Sequence, residues 1–277
     1  MRYEQSVSVL RSLFDIDIND APHQHALVPL MALASLASNL ETLETTVSNE
    51  SSDTDFLLNR SDTRRRVIGP KHTLAHLAEF TVHFTSTRRG GRTSGINLHR
   101  LNGMLHTAPN LRSLVIDSVR GGTSMTARLP NLTTLRLPKA YLCTRGLQKL
   151  TRASTNLVHF EMTYDEEPTV GYLPVLPAQV LDCLAPCKAT LQRLHLGGYT
   201  PGHRDYFPLL STLRDFKALK QVAVDCSAIV RQPDDTTLVQ LVGGCPALEG
   251  LFIMGIEAFP RDEFACFTNG ALNHKLW

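Results

Sequence analysis

A hexapeptide pattern, Leu-x-x-Leu-x-Leu, recurs along this chain and constrains its fold more than any other sequence feature. Other large apolar residues stand at some of the three positions. Six consecutive copies have their first positions at Leu111, Leu132, Leu157, Leu191, Leu219 and Leu248. A further copy begins upstream at Leu77, and a partial one at Leu40. From Leu77 onward the first positions are 34, 21, 25, 34, 28 and 29 residues apart. Such self-similarity predicts tandem structural units that bury a continuous core only when stacked.

The internal spacing of the pattern predicts a strand. Because side chains alternate between the two faces of a strand, the fourth and sixth residues of each copy share one face. The segments between copies carry apolar residues at helical spacing, as at Leu98, Leu101 and Leu105. Thr144 is a predicted helix N-cap, and Pro177 is expected in the first turn of the following helix. Each unit is therefore predicted to run strand, turn, helix, loop.

The array resembles the leucine-rich-repeat family. Cys245 precedes Leu248 and Cys187 precedes Leu191, which is similar to the cysteine-containing subtype common in F-box substrate receptors. Over residues 8–47 and 72–256 the chain resembles the repeat region of fungal F-box-like proteins. The F-box itself, a short helical module opening with Leu-Pro, is not found. The resemblance implies an α/β leucine-rich-repeat solenoid, a horseshoe with a parallel sheet on the concave face and helices on the convex face.

The predicted organisation is a single irregular repeat domain over residues 1–277. Its expected parts are divergent N-terminal repeats at 1–47, a flexible inserted loop at 48–71, main repeats at 72–256, and a C-terminal cap or truncated end at 257–277.

Composition excludes several classes of partner. The chain has 28 basic and 26 acidic residues, a formal charge of +2, so nucleic acid is not expected as the main partner. The apolar stretch 26–40 is interrupted by Pro29 and is too short to span a bilayer. Without a signal-peptide pattern, an intracellular location in the cytoplasm, the nucleus or both is expected. Two basic loops, at 64–66 and 88–92, keep RNA association open as an alternative.

No catalytic or cofactor motif is recognised, and we expect a protein that is not an enzyme and carries no cofactor. The chain has no GxSxG, P-loop or Rossmann fingerprint. An enzyme with an unrecognised site stays open as a further alternative. Cys183 with Cys187, and His72 with His76, have the spacing of one helical turn but no evident third ligand, so no metal site is expected.

The strand register predicts a partner-binding surface on the concave face. The residues expected there are Arg136, His159, Glu161, Arg193, His195, Asp225, Phe252 and Met254. The first five should cluster at the centre, while Phe252 and Met254 should form an apolar end. Arg and aromatic side chains are frequent anchors of protein interfaces. The alternative is a solvated sheet face on which Arg136 and Glu161 pair across strands. The resemblance implies a protein partner, and includes the substrate-receptor role of a ubiquitin ligase.

Overall fold

In a computed structural model, the described residues are 40–48, 74–85, 96–121, 126–164, 175, 177–199, 212–226 and 243–254. The strands are β1 Thr42–Ser48, β2 Glu79–Thr85, β3 Ile96–Asn97, β4 Ser113–Ile116, β5 Val119–Gly121, β6 Thr134–Leu137, β7 Tyr141–Leu142, β8 His159–Thr163, β9 Arg193–Tyr199, β10 Gln221–Cys226 and β11 Gly250–Met254. The helices are α1 Leu98–Thr107, α2 Thr144–Arg152 and α3 Pro177–Cys183, and a 3₁₀ turn at Ala185–Cys187 follows α3.

Eight strands form one parallel sheet in the order β1-β2-β4-β6-β8-β9-β10-β11. This is chain order, so each strand pairs with the strands of the preceding and following units. Every strand of this main sheet covers the fourth to sixth positions of one hexapeptide, including the partial copy at Leu40. The predicted α/β class with a parallel sheet is therefore confirmed, and the hexapeptide repeat is the reason for it.

The fourth and sixth positions whose side chains the structure describes face a single hydrophobic core, as predicted. Phe80, Leu114, Leu135, Phe160 and Leu194 are each at most 2% exposed. Buried side chains of the three helices belong to the same core, which places the helices on the buried side of the sheet. Burying one such aliphatic or aromatic side chain contributes about 1.5–3 kcal/mol, so the repeated pattern is the main source of stability.

The helices begin close to where the sequence predicts them, with one correction. Pro177 opens α3 as expected, but the prediction of Thr144 as an N-cap is wrong. Helix α2 already begins at Thr144, and its N-cap is Cys143, whose extended backbone (φ −79°, ψ 157°) makes no side-chain cap hydrogen bond. The Thr144 hydroxyl instead contacts Gln179 Oε1 at 3.3 Å, across to α3.

The segment between β4 and β6 departs from the predicted strand–helix unit. Its described residues, 117–121 and 126–133, contain no helix but include β5. This strand joins β3 and β7 in a second parallel sheet, ordered β3-β5-β7. The three short strands were not predicted because two or three residues are too few to show an alternating pattern.

Polar side chains just before the strands join each unit to the preceding one. An asparagine precedes the first leucine in three successive units and donates its amide to a carbonyl one unit earlier. These bonds run from Asn110 to Ala75 at 2.7 Å, from Asn131 to Pro109 at 3.2 Å and from Asn156 to Pro130 at 2.8 Å. The Asn-Leu lead-in thus links neighbouring units and satisfies carbonyls that would otherwise need water.

None of the described helices is both long and apolar enough to cross a bilayer.

Candidate functional site

The face of the main sheet opposite the core consists of two rows of exposed or half-buried side chains, which we call the open face. The first row is Thr42, Glu79, Ser113, Thr134, His159, Arg193, Gln221 and Gly250. The second row is Glu44, Thr81, Val115, Arg136, Glu161, His195, Ala223 and Phe252. The strand pairings confirm two of the three rows that the hexapeptide register predicts, those running from Glu79 to Gly250 and from Thr81 to Phe252. The third predicted row includes Asp225 and Met254, and the β1 residues Thr42 and Glu44 were not assigned to any row. The strand spacing of about 4.8 Å makes the members of each row neighbours.

An ionic cluster lies at the centre of the second row. Arg136 Nε contacts Glu161 Oε2 at 2.6 Å, and His195 Nδ1 lies 3.8 Å from Glu161 Oε1. The Glu161 side chain is only 13% exposed, compared with 47% for Arg136 and 39% for His195. Arg136 and His195 therefore flank the Glu161 carboxylate from the two adjacent strands, and Arg136 with Glu161 is a cross-strand pair of opposite charge.

His159 and Arg193 stand side by side in the first row, next to that cluster. Partial burial lowers the pKa of His159 below its ordinary 6.5; Glu161 opposes this shift, while Arg136, Arg193 and His195 reinforce it. His159 is therefore neutral at physiological pH. Arg193 is exposed and forms no ion pair with any residue that the structure describes. Among the described residues, the centre thus carries one cation, Arg193, that has no acidic partner.

The last strand supplies an apolar end. Phe252 is 41% exposed and is the one large hydrophobic side chain exposed among the described residues. Its neighbour in the second row is Ala223, which lies between it and His195. Asp225 and Met254 are paired opposite each other on β10 and β11, as their sequence positions predict; their side chains lie outside the part of the chain that the structure describes.

The first two strands make the opposite end acidic, which the sequence reasoning missed. Glu44 and Glu79 are exposed on β1 and β2, and His83 Nε2 lies 3.3 Å from Glu44 Oε1. Because the copy at Leu40 is only partial, Glu44 was not assigned to the second row. The signal was present in SNLETLE, where Glu44 follows Leu43 as Arg136 follows Leu135.

The cysteines that suggest a metal half-site have a packing role. Cys183, Cys187 and Cys245 are buried, and the Cys187 and Cys245 thiols donate to the carbonyls of Ser154 and Leu213 at 3.3 and 3.2 Å. Burial raises the pKa of all three thiols, that of Cys183 to about 11. Within the described ranges no group of three or more His, Cys, Asp and Glu is placed to hold a metal ion.

The remaining sequence predictions concern His76 and residues that the structure does not describe. His76 is exposed in a turn with Ala75, so the helix face that its spacing from His72 suggests is wrong at this residue. His72 and the two basic loops at 64–66 and 88–92 lie outside the described residues. So do residues 1–39 of the predicted N-terminal repeats (1–47), residues 49–71 of the predicted loop (48–71) and the predicted end 257–277.

No model of a known protein family matches the chain, and no curated protein matches it.

Proposed function

We propose that this chain is a leucine-rich-repeat protein that binds a protein partner on its open face and catalyses no reaction. The observation that carries the proposal is the open face itself. It runs without interruption across eight strands, presents an exposed Phe252 and an Arg193 that pairs with no described acidic residue, and is not covered by any described part of the chain. Cation and aromatic side chains on an extended surface are typical anchors of protein recognition.

A comparison of strand spacing with helix width supports the horseshoe form of this proposal. The strands of a sheet lie about 4.8 Å apart, whereas a helix with its side chains is about 10 Å wide. Units with strands on one side and helices on the other must therefore splay on the helix side. The sheet then lines the concave side, and the open face becomes an inward surface able to surround a protein segment.

We also propose the substrate-receptor role in a cullin-type ubiquitin ligase as the specific form of this binding. It is supported by the resemblance of the hexapeptides, and of Cys187 and Cys245 before their leucines, to the repeats of F-box substrate receptors. Co-purification of cullin-type ligase subunits with the tagged full chain is the expected result. If a partner is captured through the open face but no ligase subunit accompanies it, the general binding role stands and the receptor role fails.

The general proposal is tested by comparing two variants of the full chain as affinity ligands. The first combines Arg136→Gln, Arg193→Gln and Phe252→Ala on the open face. The matched control combines Arg145→Gln and Arg152→Gln on the exposed side of α2. With both variants shown to be folded by circular dichroism, a true partner should be lost at least about tenfold from the first and retained by the control. Equal recovery by both would refute binding through the open face.

A further inference from the structure

We infer that the open face recognises an acidic, extended segment of its partner, with one carboxylate bound by Arg193 and one apolar side chain bound against Phe252. The inference rests on the proposed protein-binding function and specifies the chemistry of the partner.

The charges of the open face favour an acidic segment. In the two rows from β4 to β11, the arginine and carboxylate side chains are those of Arg136, Arg193 and Glu161. Glu161 is already engaged, with one carboxylate oxygen on Arg136 and the other facing His195. The remaining cation is Arg193, so this region presents an excess positive charge that a partner carboxylate would neutralise.

The neighbours of Arg193 fit a carboxylate better than a cation. In the first row it lies between His159 and Gln221, and neither bears a negative charge. The Gln221 amide and the neutral imidazole of His159 can each donate a hydrogen bond. An exposed guanidinium offers parallel N–H groups that bind a carboxylate in bidentate fashion. Arg193 would thus supply the charge, and its two neighbours would orient the bound group.

The distance to Phe252 sets the spacing expected in the partner. Arg193 on β9 and Phe252 on β11 are separated by two strand spacings and are offset by two residues along the strands. Strand geometry then gives a Cα separation of about 12 Å. An extended segment advances about 3.3 Å per residue and directs every second side chain to the same face. An acidic residue and an apolar residue four positions apart would therefore meet Arg193 and Phe252 together.

The test is a selection from a displayed library of random linear peptides on the immobilised full chain. We expect enrichment of peptides with Asp or Glu four positions from Phe, Leu, Met or Trp. For one enriched peptide, Arg193→Gln should weaken binding about tenfold, and so should replacing the peptide's acidic residue by its amide. The two changes together should cost little more than either alone. Arg152→Gln, the same substitution on α2, should leave binding unchanged.

The outcomes separate this inference from the proposed function. Enriched peptides that lose binding with Phe252→Ala but lack an acidic residue overturn the acidic-segment inference and leave open-face binding in place. Peptides unaffected by Arg193→Gln, Phe252→Ala and Arg136→Gln overturn both. No enrichment above the level obtained with the combined Arg136, Arg193 and Phe252 variant also overturns the inference, because a short extended segment would then not be sufficient.

Discussion

At the scale of single residues, Glu161 organises the centre of the open face. It is the least exposed of the ion-pairing side chains there, and it lies between Arg136 and His195 on the two flanking strands. A carboxylate held this way stabilises the sheet only while its cation is present, because removing the cation leaves a charge that is largely withdrawn from water. The pair therefore has a structural role, which leaves Arg193 as the side chain available to a partner.

The strength of this pair is measurable by a double-mutant cycle. We expect Arg136→Gln and Glu161→Gln each to lower the free energy of unfolding, with a coupling energy of about 1 kcal/mol, since Arg136 is half exposed while Glu161 is not. Urea unfolding of the two single variants and the double variant gives the value. Lys220 with Glu249, an exposed pair at 4.0 Å, is the control and should show a smaller coupling. Equal coupling in both pairs would contradict the structural role of Glu161.

His159 makes the stability of the sheet depend on pH. Its folded-state pKa is lower than 6.5, chiefly because of burial, so below pH 6.5 the unfolded chain binds more protons than the folded chain. The contribution of His159 to the free energy of unfolding is complete above pH 6.5 and is lost as the pH falls through the folded-state pKa. Urea unfolding from pH 8 to pH 5 should therefore show a steeper decline for the wild type than for His159→Gln. Parallel curves would mean that His159 has no lowered pKa.

At the scale of elements, the β9 strand contains a bulge that the hexapeptide pattern does not predict. Leu196 pairs with Val224, but Tyr199 pairs with Cys226, so Gly197 and Gly198 face the single residue Asp225. Gly198 adopts a left-handed conformation with φ +73°, which glycine reaches without steric cost. The bulge ends the regular register of the open face directly beyond the second row.

We expect Gly198→Ala to lower the free energy of unfolding by about 3 kcal/mol. A Cβ there would overlap the backbone of Tyr164, in addition to the unfavourable φ. Gly250→Ala is the matched control in β11 of the same sheet, because its Cβ would meet only Gln221 Cγ at 4.0 Å. This variant should stay within about 1 kcal/mol of the wild type. Chemical denaturation measures the free energy of unfolding of both variants. Similar losses in the two would mean that stability does not require the bulge.

The elements also show which parts of the fold the sequence can predict. Each strand of the main sheet was predictable because residues such as Leu135 and Leu137 repeat at the strand period in every unit. The cross-strand neighbours of Arg136 and Glu161 followed from aligning the units. The Gly198 bulge and the first residue of α2 did not follow, because they depend on local backbone conformation that a single glycine or threonine leaves undecided. The contact of Glu161 with His195 depends on side-chain rotamers, which no spacing specifies.

At the scale of the whole molecule, stability is expected to be a sum over neighbouring units. The strands of the main sheet pair in chain order, and the asparagine bonds also connect adjacent units. In such an array local openings need not spread along the chain, unlike in a domain whose core is closed by long-range contacts. A partner that spans the open face from Arg193 to Phe252 would therefore stabilise β9 to β11 more than β1 and β2.

The alkylation rates of two buried thiols can show whether the units open separately. Cys187 donates to Ser154, just before β8, and Cys245 donates to Leu213, before β10. Phe160→Leu in β8 should cost about 1 kcal/mol and should raise the alkylation rate of Cys187 about fivefold, with a smaller effect on Cys245. Leu248→Val should instead raise the alkylation rate of Cys245, with a smaller effect on Cys187. Site-resolved mass spectrometry measures both rates in one sample. Equal acceleration of both thiols in both variants would show that the array opens as a single cooperative unit.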